Sequence, residues 1–195
     1  MALNAYLRLK GQKHGDIKGS VTQKGREGKI LVIAAEHGIA SPRDAASGLA
    51  NGKRQHRPFF ITKELDASSP LLYAMLVANE AIAEWELQFW TPQIKAGAGA
   101  GTELQHYTVK LTDARIVSID FHMPNNRDPA LAKLVEYEQV GFSYRRIDWT
   151  WVLGGITAQD DWGAPVTALR KAAARAAPKA AAKAGKTATS RPSSG

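Results

Sequence analysis

Residues 136–153 read EYEQVGFSYRRIDWTWVL. Val140, Phe142 and Tyr144 share one parity; Ile147, Trp149 and Trp151 share the other. Each half alternates with period two, the pattern of a half-buried strand. The phase flips at Arg145-Arg146. A one-residue slip moves a whole apolar set to the opposite face. The flip therefore requires a bulge, or a corner where the chain passes from one sheet to another. Rings such as these contribute about 1.5–3 kcal/mol or more each when fully enclosed. The stretch thus reads as β-core rather than as a cofactor platform, with Trp149 and Trp151 on one mostly buried face and Tyr144 in a different environment from Trp149.

Outward from this run the same pattern recurs. Ala5, Leu7 and Leu9 alternate with Tyr6, Arg8 and Lys10, and 29–36 (KILVIAAE) is short and β-branched enough for a buried strand. Another strand resumes at 59–62, and 83–90 (AEWELQFW) puts Trp85, Leu87 and Phe89 inward and Glu84, Glu86 and Gln88 outward. His106 to Thr112 and Arg115 to His122, the latter with Val117, Ile119 and Phe121 inward, read as a hairpin turning at Thr112-Asp113-Ala114. One helix is expected at 70–79: Ser69 can cap it, Pro70 suits its first position, and Leu72, Met75, Leu76 and Asn79 share a face. Many short strands with one helix predict an all-β barrel or sandwich.

The 195 residues hold one domain with room for a core, plus something extra. There is no cysteine, hence no disulfide framework and no thiolate chemistry. No run of about 18 apolar residues exists, so no membrane insertion is expected. Residues 1–12 carry Arg8 and Lys10 inside the apolar pattern and do not look like a signal peptide, so export, if it occurs, is expected to bypass the general secretory route. The net charge of +8 is unevenly placed. Seven bases lie from Arg170 onward with no acid beyond Asp161, while the first 167 residues carry 19 bases against 18 acids. The composition changes after Trp162 to Ala, Lys, Pro, Ser and Thr. We therefore expect a globular domain over 1–163 and a disordered, basic tail over 164–195.

Candidate chemistry is sparse. His14, His37, His56, His106 and His122 sit far apart in sequence, with no HxxxH spacing, so no metal ligands are assigned. Ser47 in AASGL is not a nucleophile elbow. The GAGAG run at 97–101 follows a loop and reads as a flexible hinge, not a dinucleotide site. Gly52-Lys53 lacks the glycine five residues earlier that a phosphate loop needs. Asp160-Asp161 reads as a solvated turn rather than an acid–base pair. No catalytic residue and no cofactor is assigned. The stretch from His37 to Pro58 loses all periodicity and concentrates Arg43, Lys53, Arg54 and Arg57, and excursions of this length are usually functional.

LRLKGQKHGDIKGSVTQKGREGKILV, SPRDAASGL, GKRQHRPFFITKELDASSPLLYAMLVANE, EWELQFW, HYTVKL and FSYRRIDWTWVLGGITAQDDW follow one another in order. Together they resemble the haemolysin-coregulated protein (Hcp) family, the tube protein of type VI secretion, over roughly residues 1–162. The resemblance implies a β-barrel-like fold with one helix on its side and a structural role without a cofactor. It further implies homo-hexameric rings that stack into a tube, assembly in the cytoplasm, and firing by a contractile sheath beneath spike proteins. Effector proteins would ride in the lumen. Arg43, Lys53, Arg54 and Arg57 are then the candidate subunit-interface residues, meeting the next ring. The tail lies outside the family pattern. It leaves two alternatives: a nucleic-acid binder, a role expected only through the tail's seven bases, or a carrier whose tail is a cargo adaptor.

Overall fold

The computed structural model describes residues 4–92 and 103–163; the glycine-rich run at 97–101 and the tail over 164–195 lie outside the described residues. β1 (Ala5–Gly11) buries Leu7 and Leu9 and exposes Arg8 and Lys10, as its alternation predicts, but Tyr6, expected outward with them, is buried with Arg26 over its ring. The chain turns back into β2 (Gly15–Ile17) at Gly15, whose φ of 69° lies in the left-handed region that favours glycine. The 29–36 run forms two strands rather than one, β3 (Ile30–Val32) and β4 (Ala34–Glu36), with exposed Ile33 between them. β5 (Ile39–Ala40) and β6 (Gln55–His56) make a separate two-stranded ladder, so the excursion is an arm with its own hydrogen bonding. β7 (Phe59–Glu64), helix α1 (Ser69–Val77) and β8 (Ala81–Pro92) follow. The chain continues through β9 (Glu103–Thr112), β10 (Ala114–His122), β11 (Tyr137–Ser143), β12 (Arg146–Trp151) and β13 (Ile156–Asp161).

The main sheet curls back on itself. β3 pairs with β1, β1 with β8, β8 with the start of β10, β10 with β11, β11 with β7, and β7 with β4, which the chain joins directly to β3. This explains the split of the 29–36 run: one segment serves two neighbours, and Ile33 marks the change of partner. A second wing runs from β8 through β9 and β12 to β13. Trp85 lies at the centre, with the rings of Phe59 and Phe142 edge-on to it at 5.0 and 5.5 Å. Leu7, Leu87, Ile30, Ile61, Val140 and Ile147 surround them without exposure above 1 %. Gly141 has no room for a side chain, since a Cβ there would sit 2.7 Å from the Phe60 ring and from Ser118 Oγ.

The expected hairpin at 112–114 is absent. β9 and β10 do not pair with each other; both pair with β8, and Asp113, at φ 53°, turns a corner between them. A short turn between alternating runs fits both a hairpin and a corner, and only the partner strand decides. The flip at Arg145-Arg146 is the matching corner, taking the chain from β11, beside β10, to β12, beside β9. The two corners adjoin: the Arg145 amide donates to the Thr112 carbonyl at 3.1 Å, and its guanidinium pairs with Asp113 and Asp161. In β10 the register slips between Ile116 and Ser118, so Ile116 points inward and Val117 outward; of the residues expected inward, Ile119 packs against the core while Val117 and Phe121 are exposed. Trp149 is partly buried against the core, but Trp151, on the wing, is 42 % exposed. Trp151 is therefore not the core residue that alternation predicted.

The helix lies where expected and packs beside β10. Leu72 and Met75 are buried, and Leu76 is only partly so. Ser69 is not its cap but its first residue. Asn79 leaves the helical face at φ 47°; the Glu80 amide donates to the Met75 carbonyl and that of Asn79 to Leu76, a Schellman closure with asparagine in the left-handed position. Under the helix start, Lys63 and Glu138, opposite each other on β7 and β11, form an ion pair of 2.8 Å with no exposure. Ser69 Oγ donates to Glu138 at 2.8 Å and accepts from Lys63 at 3.0 Å, and Asp66 pairs with Lys63 at 2.9 Å. The cluster joins two strands and the helix through one buried ammonium. Among the described residues no helix is long and apolar enough to cross a membrane.

Candidate functional site: a basic arm on a histidine–tyrosine hub

The arm spans 39–56. Its outer half folds around Asp44, whose carboxylate accepts from the amides of Ala46 and Ser47 at 3.1 and 2.7 Å and from the Ser47 hydroxyl at 2.8 Å. These bonds, the Ser47 amide foremost, hold the Asp44 carboxyl below its ordinary range. A bridge between Arg43 and Ala50 and a hydrogen bond from the Asn51 amide to the Pro42 carbonyl close the loop. Leu49 stands at the tip, 70 % exposed.

The four bases named from sequence divide into two groups. Arg43 is exposed and donates to the Gly48 carbonyl at 3.1 Å. Lys53 and Arg57 are exposed and form no ion pair among the described residues. Arg54 turns inward: its Nε pairs with Asp160 and it donates to the Asp161 carbonyl at 2.7 Å. It fastens the arm to β13.

Arg54 is one part of a larger fastening that sequence reading missed. Tyr144 Oη lies 2.5 Å from His37 Nε2 and 2.8 Å from His56 Nδ1; His56 Nε2 lies 2.9 Å from Asp160 Oδ2. The His56 side chain is only 3 % exposed, and its ring lies beside Trp162. The His37 ring stacks on Phe59 at 5.2 Å. Burial and then the nearby Asp160 carboxylate push the Tyr144 phenol well above its ordinary value, so it is a neutral hydroxyl near neutral pH. Burial, then His56, pulls the His37 imidazole below its ordinary value. Asp160 is buried within a strand, not in the solvated turn expected for Asp160-Asp161. His37 precedes the arm and His56 ends it, and that placement was the one available signal. Among the described residues no group of three or more His, Asp or Glu is placed to hold a metal ion.

A second surface lies at the far wing. Trp151, Val152, Leu153 and Ile156 are all exposed at the β12–β13 turn, and among the described residues β13 pairs on one side only. The arm thus offers charge, and the wing offers apolar area and, among the described residues, a strand edge without a second partner.

Residues 6–151 match the family described as "Type VI secretion system effector, Hcp". The chain is 38 % identical over 175 residues to the major exported protein of Pseudomonas aeruginosa, a match covering 85 % of this chain and 99 % of that one. The Hcp1 structure from E. coli EAEC 042 superposes with a TM-score of 0.70 at 34 % identity, covering 83 % of this chain and 99 % of that one. The secreted protein Hcp3 of Pseudomonas aeruginosa gives 0.63 at 31 %, covering 82 % and 97 %.

Proposed function

The chain belongs to the Hcp family of the type VI secretion system, and from that premise we propose that it is a structural tube subunit. It forms hexameric rings that stack, is driven out by the contractile apparatus, and carries effector proteins in the ring lumen. Assembly precedes export in the cytoplasm. The role is mechanical rather than enzymatic.

The observation that carries this reading is the pre-folded arm. Ordering a free loop costs on the order of 1–2 kcal/mol per residue. Here the Asp44 turn, the β5–β6 ladder and the Arg54–Asp160 pair hold the arm without a partner, so a docking ring need not order it. Arg43, Lys53 and Arg57 are then presented to carboxylates or carbonyls of the next ring, while Arg54 keeps the arm in place. An exposed ion pair is worth at most about 1 kcal/mol, but six made at once act together.

Replacing Lys53 and Arg57 by Glu tests this. The single ring should persist, seen as a six-subunit mass by light scattering. Stacks seen by electron microscopy, and secretion, should diminish, and added salt should weaken native stacking in the same direction. Unchanged tubes and export in the double variant would remove the arm from the stacking contact. A strictly monomeric protein at high concentration would overturn the ring reading.

A further inference from the structure

The hub at the base of the arm has a proton count that its geometry limits. Asp160 Oδ2 accepts from His56 Nε2. With His56 neutral, its Nδ1 has only a lone pair, and Tyr144 Oη must donate to it. The phenol oxygen then accepts from His37 Nε2. With His56 protonated, both its nitrogens donate, one to Asp160 and one to the phenol, and the phenol proton turns to a neutral His37 Nε2. Each arrangement gives His37 Nε2, Tyr144 Oη, both His56 nitrogens and Asp160 Oδ2 a partner, while Asp160 Oδ1 is buried without one among the described residues. With both rings protonated, two N–H groups converge on one phenol oxygen. The phenol proton then has no acceptor within the hub, and two cations stand 6.4 Å apart, centroid to centroid.

The surroundings do not relieve that charge. Asp160 already serves Arg54. Asp161 pairs with Arg145, which also holds Asp113. His37 faces the apolar Phe59 ring, and His56 faces Trp162. From the arm itself, the Arg57 side chain passes over Gly38 and adds a further positive charge.

We propose that the His37–Tyr144–His56–Asp160 chain is a proton-operated clamp that admits one imidazolium but not two, so that a second proton releases the arm while the barrel stays folded. The clamp is a property of the single chain and goes beyond the tube reading. Its consequence, arms docked at neutral pH and loose in an acidic compartment, rests on that reading. The depressed affinity of His37 for a proton has the sign the clamp needs: docking is favoured by the neutral ring and opposed by the charged one.

Hydrogen exchange of the full-length protein, corrected for the pH dependence of intrinsic exchange and read separately for segment 39–57 and for β8, tests the clamp. Protection of 39–57 should fall by about tenfold per pH unit below about 6.5, the ordinary imidazole value, while β8 is unchanged. His37→Gln keeps a donor toward the phenol but cannot take up a proton, and it should abolish the slope. Tyr144→Phe keeps the ring and loses the shared hydroxyl; its arm should already be poorly protected at neutral pH. Flat protection in the native protein, the same slope in His37→Gln, a well-protected arm in Tyr144→Phe, or loss of β8 in step with the arm would each overturn the clamp. Sedimentation run alongside separates the two readings. Rings that dissolve while arm protection stays flat would refute the clamp and leave ring formation standing.

Discussion

Under the helix, Lys63 and Glu138 face each other across β7 and β11 with both side chains fully buried. At the base of the arm, His56 and Asp160 meet across an imidazole and a carboxylate, with Tyr144 and His37 beyond them. Both clusters tie an irregular element to the barrel through a carboxylate. The first uses an ammonium whose ordinary pKa is about 10.4, the second an imidazole of about 6.5. A buried pair of strong charges is a permanent joint, because losing either partner leaves an uncompensated charge in a low-dielectric wall. A pair built on imidazole holds only while its protons are rightly placed. The helix is fastened permanently and the arm conditionally, which suits a wall and a contact-making limb.

The sharpest way to break this comparison is to remove the permanent joint. Lys63→Met should cost about 3–5 kcal/mol in urea unfolding by stranding Glu138, and adding Glu138→Leu should recover much of it. A loss below about 1 kcal/mol would show that the pair joins nothing. Next comes the apolar footing of the same helix. Met75→Ala, at a site 1 % exposed, should cost about 2–5 kcal/mol through the cavity it leaves, and Leu76→Ala distinctly less because its side chain is half out of the core. Equal costs would mean that the helix sits rotated from its described face.

At the arm, Asp160→Asn keeps shape and loses charge. It should lower global stability by at most about 1–3 kcal/mol while segment 39–57 loses exchange protection first. If β8 and the arm lose protection together, the arm is not a separate unit. The pH response should divide the clusters as well. Burial pushes the Asp66 carboxyl up, but Ser68 and Lys63 pull it down further, so its net shift is downward. Its stabilisation is therefore complete above the unfolded value of about 3.9 and is lost only as pH falls through the lower folded value. Stability tied to His37, also shifted down, is complete above about 6.5 and falls below it. Urea midpoints for the barrel should thus hold nearly level from about pH 7.5 to 5 and drop below about pH 4, with the arm changing in the first interval only. The smallest effect belongs to the exposed bases: Lys53→Glu with Arg57→Glu should shift stability by no more than about 0.5 kcal/mol, whatever it does to stacking.

How far the sequence reading carried depended on how local each decision was. Trp85 and Leu87 point inward because a regular strand in a curled sheet has one inner face, and their alternation is visible in eight residues. The helix was visible for the same reason, from Pro70 and the spacing of Leu72 and Met75. Val117 misled because it lies at the slip in the ladder with β11, whereas Phe121 shares the parity of Ile119, which does pack against the core, and is exposed all the same. Trp151 misled because alternation marks a face but cannot say whether anything covers it; that wing extends past the core.

The sequence by itself determined the all-β class, the single helix and the family, since each rests on periodicity or on motifs in order along the chain; at Arg145-Arg146 it marked a break without choosing between a bulge and a corner. Only the tertiary structure decided that Asp113 is a corner and not a hairpin, that 29–36 serves two partners, and that His37, His56, Tyr144 and Asp160 meet. Those are matters of which strand lies beside which. The hub residues are separated by 107, 88 and 104 positions along the chain, and neither propensity nor alternation carries information over such distances. Their encounter follows from the sheet curling until β13 and β11 come to lie beside the foot of the arm.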